Sequence, residues 1–243
     1  MMSGILKFFV PFVFLFFISK VNGVENSESD LRRFLFENYD KLVRPVRKTT
    51  DTIPVRINLN PAGLRDVDIK DRQVKFVSWL SMRWEDVYLT WDAAEYGIDR
   101  LIVPMDQIWT PDISLYTTVS DDGLFPKAQT NAIIYHNSTV LWSPIFTVKS
   151  RCLPTENQVT EDTFQCTVKL GSWTYHLGLL DVHHYIDDPL TKAMNGESFY
   201  NQHPKWILES MTASTEPKKY SCCDELYPTV SYDMRFRKRQ TDS

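Results

Sequence analysis

The sequence predicts an all-β domain, a sandwich or a barrel, preceded by one α-helix. Apolar and polar residues alternate early in the chain, at Val55–Leu59, and near its end, at Val230–Phe236, as they do in half-buried strands. Between them lie short β-type runs, which turn-forming residues separate about every eight to twelve positions. This rhythm favours a sandwich or barrel over βαβ units, and about 220 residues fit one such domain.

The single helix is predicted over Ser27–Asp40, where apolar residues recur with the period of an α-helix. Ser27 can cap its first turn together with Asp30, and Pro45 prevents much extension beyond the predicted end. The inward face would carry Leu31, Phe34, Leu35 and Asn38.

Further strands are predicted in the middle of the chain, where β-type residues cluster. They cover Val74–Leu80, Asn131–Tyr135, Thr139–Trp142 and Thr167–Leu170. Turns are predicted at Asn60–Gly63 and at Asp121–Gly123, which contain the residues that turns require. We expect Trp84, Trp91 and Trp109 to belong to the core.

Residues 1–23 are predicted to be a secretory signal peptide. Lys7 precedes an apolar run from Phe8 to Ile18, and polar residues follow up to Gly23. The run is shorter than the roughly 20 residues that a membrane span needs, and no later stretch approaches that length. We therefore expect residues 24–243 to form one secreted extracellular domain without membrane insertion, whose cysteines meet an oxidising compartment.

Composition and motifs exclude several classes of function. The chain has 27 Lys+Arg and 31 Asp+Glu, a net charge of −4, which argues against a sequence-independent nucleic-acid binder. Hydrolase elbows, zinc-protease motifs and phosphate loops are missing from the sequence, so we expect neither an enzyme nor a cofactor. The pair His183–His184 does not indicate a metal site, since adjacent strand residues point to opposite faces. Asn137-Ser138-Thr139 is a glycosylation sequon, with Asn137 as acceptor.

The cysteines are Cys152, Cys166, Cys222 and Cys223. Of the three possible pairings, the spacing favours Cys152 with Cys166 and Cys222 with Cys223. Two free thiols, or a cross-link elsewhere, remain the alternative for the adjacent pair. A bridge between neighbours adds almost no loop-closure entropy, so a stiffened loop tip that touches something explains it better than stability does.

The segment Tyr220–Tyr227 has a Tyr-x-Cys-Cys-x-x-x-Tyr pattern, and further motifs lie at 38–46, 84–91, 109–112 and 171–175. Together and in this order they resemble the nicotinic-type Cys-loop receptor family, and most closely its soluble acetylcholine-binding proteins. In that family the segment Tyr220–Tyr227 corresponds to the ligand-capping C loop. The resemblance implies an immunoglobulin-like twisted β-sandwich of about ten strands with an N-terminal α-helix. It also implies a head-to-tail ring of five copies with binding sites between subunits.

The same resemblance implies a ligand site made by two faces of the chain. One face would supply Tyr116, Trp173, Tyr220, Tyr227 and the pair Cys222–Cys223, and a neighbouring copy would supply Trp79, Ile133, Leu141 and Ser143. Three tyrosines and two tryptophans around one cavity would present negative π faces and no carboxylate. Such a cage attracts a protonated or quaternary amine, with about 2 kcal/mol or more for a desolvated contact. We expect acetylcholine, nicotine or a related amine as the ligand.

Three departures from channel-forming relatives favour a soluble binding protein. The loop between Cys152 and Cys166 is mostly polar and keeps only Asp162 of the family's membrane-facing tip. Ile69 stands where receptors usually have a glutamate, and the basic C-terminal tail lacks the usual proline. The alternatives are the extracellular domain of a channel subunit and a secreted adhesion module without a small-molecule site.

Overall fold

Alternating burial along the strands produces two β-sheets, which pack as a sandwich behind an N-terminal helix. The computed structural model describes residues 27–119, 130–152, 162–185 and 203–240. The elements are α1 Ser27–Phe36, β1 Ile53–Asp68, β2 Gln73–Thr90, α2 Ala93–Tyr96, β3 Arg100–Pro104, β4 Ile113–Leu115, β5 Asn131–Tyr135, β6 Asn137–Trp142, β7 Ile145–Arg151, β8 Thr163–Ser172, β9 Leu180–His184, β10 Trp206–Lys219 and β11 Leu226–Lys238. The prediction of a sandwich of about ten strands with an N-terminal helix is confirmed.

The larger sheet has seven strands in the order β3-β5-β6-β2-β1-β9, and β7 pairs with β2 beside this path. Its pairs are antiparallel except β1 with β9, which run parallel. The smaller sheet has the order β10-β11-β8-β4 and is antiparallel throughout. The long strands β1 and β2 connect most of the larger sheet, while β8 and β11 form the centre of the smaller one.

The core lies between the inward faces of the two sheets and is rich in aromatic residues. Trp84, Trp91 and Trp109 are buried, which confirms the prediction for these three tryptophans. Tyr232 of β11 also fastens the sheets together, because its buried hydroxyl accepts a hydrogen bond from the backbone N–H of Leu59 in β1, at 3.1 Å. Burial raises the pKa of Tyr232, so the hydroxyl stays neutral and keeps this bond.

The helix is shorter than the sequence predicts. It ends at Phe36 rather than at Asp40, and it buries Leu31 and Leu35 while Phe34 stays 59% exposed. The chain leaves the helix because Tyr39 turns inward, where its hydroxyl donates to buried Asp86 at 2.6 Å. The predicted inward positions of Phe34 and Asn38 are therefore wrong: one is exposed and the other lies beyond the helix.

The predicted turn at Asn60–Gly63 is a bulge inside β1. The strand continues through it, and its pairing with β2 shifts register between Pro61 and Gly63. Proline has no N–H to donate to the ladder, and a bulge accommodates that loss without ending the strand. Ser78 of β2 stabilises the irregular stretch by donating its hydroxyl to the Asn60 carbonyl at 2.7 Å.

Both predicted disulfides are confirmed. Cys152 follows β7 in the larger sheet and Cys166 lies in β8 of the smaller sheet, so their bridge joins the two sheets near one end. Cys152 and Cys166 are buried. The second bridge joins the neighbours Cys222 and Cys223 in the hairpin between β10 and β11.

Some predictions fall on residues that the structure does not describe. The signal peptide over residues 1–23, the turn at 121–123 and positions 159–161 of the Cys152–Cys166 loop lie outside the described ranges. Within those ranges, no helix combines the length and apolarity that crossing a membrane requires.

The two disulfides should contribute differently to stability. The double variant Cys152→Ser, Cys166→Ser is expected to lose about 3 kcal/mol of unfolding free energy in urea titrations, because that bridge closes a loop of about 15 residues. The double variant Cys222→Ser, Cys223→Ser is the control, with a loss below about 1 kcal/mol. Equal losses for the two variants would contradict this division.

Candidate functional site

Four aromatic side chains cluster at one end of the smaller sheet, and we call them the cage aromatics. Tyr116 follows β4, Trp173 follows β8, and Tyr220 follows β10, while Tyr227 is the second residue of β11. These strands are neighbours in the order β10-β11-β8-β4, so the sheet itself brings the four positions to one of its ends. The sequence-predicted set from this face is therefore close together in one chain.

Tyr116 and Trp173 form the first aromatic pair of the cluster. Their ring centroids are 6.0 Å apart in an edge-to-face arrangement. The Tyr116 hydroxyl donates a short hydrogen bond to the Ser172 carbonyl, the residue just before Trp173. Trp173 nevertheless remains 60% exposed, so a large part of its indole faces away from its own chain.

Tyr220 and Tyr227 form the second aromatic pair, at the base of the C loop. Their centroids are 5.9 Å apart, again edge to face. The N–H of Cys223 donates to the Tyr220 carbonyl at 3.4 Å, so the disulfide tip folds back toward this base. The Leu177 N–H donates to the Leu226 carbonyl at 2.7 Å, which ties the C loop to the segment after Trp173.

The β11 backbone and the Tyr116 side chain both come close to Gly171 of β8. A Cβ atom at this position would lie 2.8 Å from both the Pro228 carbonyl oxygen and the Tyr116 hydroxyl. Burial raises the pKa of Tyr116, and the nearby groups Tyr220, Asp112 and Tyr227 raise it further. Tyr116 is therefore neutral at physiological pH, and its hydroxyl, already a donor to Ser172, has only lone pairs left to offer.

Asp112 positions Trp173 from both sides. One of its carboxylate oxygens accepts from the Ser172 hydroxyl, and the other accepts from Thr174, from the N–H at 2.8 Å and from the hydroxyl at 2.7 Å. The Asp112 carbonyl also accepts from the Trp173 N–H at 3.4 Å. The expectation of a site without any carboxylate is thus incomplete: Asp112 lies close behind the cage, with both oxygens used by the protein.

The remaining predicted site residues lie on the outer face of the larger sheet, and we call them the outer strip. The strip consists of Trp79, Ile133, Leu141 and Ser143. Ile133 and Leu141 are direct cross-strand neighbours, and exposed Ile102 faces Ile133 from β3. Ser143 is 3.2 Å from the hydroxyl of Ser81, which shares an outward face of β2 with Trp79.

One chain therefore carries the two predicted halves on different sheets. The cage aromatics belong to the end of the smaller sheet, and the outer strip belongs to the outer face of the larger one. Each half leaves apolar surface exposed, with Trp173 on the first, and Ile102 and Ile145 beside the second. A head-to-tail contact between copies would bring different surfaces together in this way.

The sequon and the histidine pair lie elsewhere. Asn137 is the exposed first residue of β6, where its side-chain amide oxygen accepts from the Thr139 N–H at 3.3 Å. His183 points outward to Asp181, at 2.6 Å, whereas His184 packs edge-on against buried Tyr232. The two imidazoles thus face opposite ways, as expected. In the parts of the chain that the structure describes, no three His, Cys, Asp or Glu residues are grouped to hold a metal ion.

The chain matches a family model described as the neurotransmitter-gated ion-channel ligand binding domain, over residues 28–240. The chain belongs to this family. Neuronal acetylcholine receptor subunit alpha-2 of Mus musculus is 34% identical over 215 residues, which cover 88% of this chain and 40% of that subunit. Acetylcholine receptor subunit alpha-L1 of Schistocerca gregaria is 33% identical over 210 residues, which cover 84% of this chain and 37% of that subunit.

Human neuronal acetylcholine receptor subunit alpha-9 is 28% identical over 239 residues, which cover 96% of this chain and 48% of that subunit. The chain therefore spans less than half the length of these curated relatives. Membership of the ligand-binding domain family confirms the resemblance to the nicotinic-type receptor family.

Sequence reasoning missed Asp112 and Gly171 as parts of this ligand-binding-domain site. Asp112 was recognisable only as a member of the motif Trp109–Asp112, since its bonds reach residues about 60 positions away. The importance of Gly171 is visible only in the folded chain, where the Pro228 carbonyl and the Tyr116 hydroxyl come close to it.

Asp112→Asn should loosen the Trp173 segment. The amide keeps one acceptor but turns a donor toward the Thr174 N–H, and hydrogen bonds to a charged acceptor contribute about 1.5–3 kcal/mol each. Urea titrations should therefore show a loss of about 1.5–3 kcal/mol in the free energy of unfolding. Hydrogen exchange at the Thr174 amide should become faster.

The control for this prediction is Asp106→Asn, at an exposed carboxylate that makes no side-chain hydrogen bond within the described residues. It should change stability by less than about 0.5 kcal/mol. Unchanged exchange at Thr174 in Asp112→Asn would show that Asp112 does not hold this segment.

Proposed function

We propose that this chain is a secreted, soluble binding protein that captures acetylcholine-like cationic amines between the subunits of a homopentamer. The observation that carries the proposal is the clustering of Tyr116, Trp173, Tyr220 and Tyr227 at one sheet end, together with the exposed Trp173 indole and the vicinal disulfide of the C loop. Ring faces attract an ammonium group without neutralising it, so binding and release need no chemical step.

The proposed capture assigns different parts to Trp173, Tyr116 and the C loop. Trp173 offers the largest exposed π face, and its backbone carbonyl can accept a hydrogen bond from a protonated amine. The neutral hydroxyl of Tyr116 offers lone pairs, because its proton is already donated to Ser172. The C loop, stiffened by Cys222–Cys223, would close over the ligand and exclude water, which strengthens the electrostatic attraction.

A second copy of the chain would complete the site with its outer strip. Trp79 would add a fifth aromatic face, while Ile133, Leu141 and Ser143 would line the opposite wall and adjust selectivity among amines. Because a single chain carries both halves, identical subunits suffice, and a head-to-tail contact that closes gives a ring. The ring number of five follows from the family resemblance.

The soluble form is supported by the sequence between Cys152 and Cys166, which is mostly polar where channel-forming relatives present aromatic residues to the membrane domain. Ile69 adds to this, since it lies in the β1–β2 hairpin and packs partly buried against the core instead of offering a carboxylate. We also propose residues 1–23 as the signal peptide, residues 24–243 as the mature domain and Asn137 as a glycosylation site.

A specific observation favours a second candidate, the extracellular domain of a nicotinic-type channel subunit. The relatives described above are acetylcholine receptor subunits, and the chain matches less than half of each. Full-length transcripts decide between the two: a reading frame that continues past Ser243 into four apolar segments would identify a channel subunit, and a stop at Ser243 would support the soluble protein.

Calorimetry with acetylcholine, nicotine and serotonin tests the site itself. Trp173→Ala should weaken acetylcholine binding about 30-fold, the equivalent of a desolvated cation–π contact of about 2 kcal/mol. The control is Tyr88→Ala. It removes an aromatic side chain that is 51% exposed near the C-terminal end of β2, and it should leave acetylcholine affinity unchanged.

Two outcomes would contradict the proposal. Unchanged affinity in Trp173→Ala would overturn the assignment of the cage, and an absence of heat with all three amines would favour an adhesion module. Light scattering after size-exclusion chromatography should give five times the mass of one mature chain.

A further inference from the structure

The β10–β11 hairpin carries a cation of its own beside the cage aromatics. Lys218 of β10 lies directly opposite Tyr227 of β11 in the register of the hairpin, so the two side chains leave the same face of the sheet. The Lys218 Nζ atom lies 5.3 Å from the centroid of the Tyr220 ring. This distance is within the roughly 6 Å over which an ammonium is attracted to an aromatic face.

Within the described parts of the chain Lys218 forms no ion pair, and its contact is the Tyr220 ring. The neighbouring Lys219 differs, because its Nζ pairs with Asp224 at 3.5 Å. Adjacent residues on a strand point to opposite faces, so Lys219 lies on the side of the hairpin away from the Tyr227 side chain. The two lysines therefore have the same charge, similar exposure and different partners.

We propose that Lys218 is an internal occupant of the cage, whose ammonium covers the Tyr220 face in the free protein and must leave when a ligand's cation binds there. The inference rests on the proposed function and identifies a residue that sets affinity in that same site. Displacement costs the lysine its cation–π contact and leaves a second positive charge near the bound amine. Lys218 thereby weakens the binding of simple monovalent amines.

Substitution of Lys218 by an uncharged side chain of similar length tests this directly. Lys218→Met should bind acetylcholine about two- to fivefold more tightly, which corresponds to an exposed cation–π contact of about 0.5–1 kcal/mol. Lys218→Arg keeps a cation over the ring and should show no such gain. Lys219→Met removes the same net charge from the other face and should leave acetylcholine affinity unchanged.

A second measurement examines the contact in the absence of ligand. In the free protein, NMR should place the ε-methylene protons of Lys218 upfield of those of Lys219, because they lie over an aromatic ring. Saturation with acetylcholine should return them to the position of an ordinary lysine. Loss of the upfield shift in Tyr220→Leu would confirm which ring causes it.

The possible failures are distinguishable. If the wild-type protein and Lys218→Met bind acetylcholine equally, or if Lys219→Met gains as much as Lys218→Met, the inference about Lys218 is wrong while the proposed function stands. An ordinary chemical shift for Lys218 in the free protein would also overturn it. If no variant binds acetylcholine, the proposed function falls, and this inference falls with it.

Discussion

The close approach of three chain segments at Gly171 is the constraint on which the candidate site depends. The Pro228 carbonyl and the Tyr116 hydroxyl both come within 2.8 Å of the place where a Cβ atom would be. Tyr116 can reach the Ser172 carbonyl only because this space is free. The ladder between β8 and β11, which pairs Gly171 with Thr229, then fixes the C loop next to Trp173. Aromatic residues that are distant in sequence thereby lie together at one end of the smaller sheet.

The same architecture explains why the site is open in one chain. Asp112 bonds the residues on both sides of Trp173, yet the indole stays 60% exposed. The outer strip, which we propose covers it in a neighbouring copy, belongs to the other sheet of the sandwich and cannot fold back onto it. Apolar surface on two separate faces of a molecule is typical of a subunit that assembles head to tail. The proposed pentamer follows from this division and from the family.

Much of the fold could be predicted from the sequence because strand burial has a simple period. Alternation located β1 and β11, and clusters of β-type residues located β2, β5, β6 and β8, although the long strands extend beyond the predicted segments. The end of α1 was missed because Tyr39 leaves the helix to bond Asp86, a contact between residues 47 positions apart. The bulge at Asn60–Gly63 was mistaken for a turn since both features use proline and glycine.

The aromatic positions of the site were predictable from joint spacing, but their supports were not. Asp112 and Gly171 act through contacts that exist only after β4, β8 and β11 align. The position of Lys218 over Tyr220 likewise depends on the register of the β10–β11 hairpin. A pattern of residue types shows which groups are present, whereas the strand register decides which of them meet.

In the proposed assembly, two copies of the chain share each binding site. The most direct test of this arrangement is acetylcholine binding to rings assembled from equal amounts of Trp173→Ala and Trp79→Ala chains, each of which binds poorly alone. If the site lies between subunits, about one interface in four joins two intact halves and recovers wild-type affinity. Recovery of these high-affinity sites is the expected result, and their complete absence from mixed rings of the correct mass would contradict the shared site.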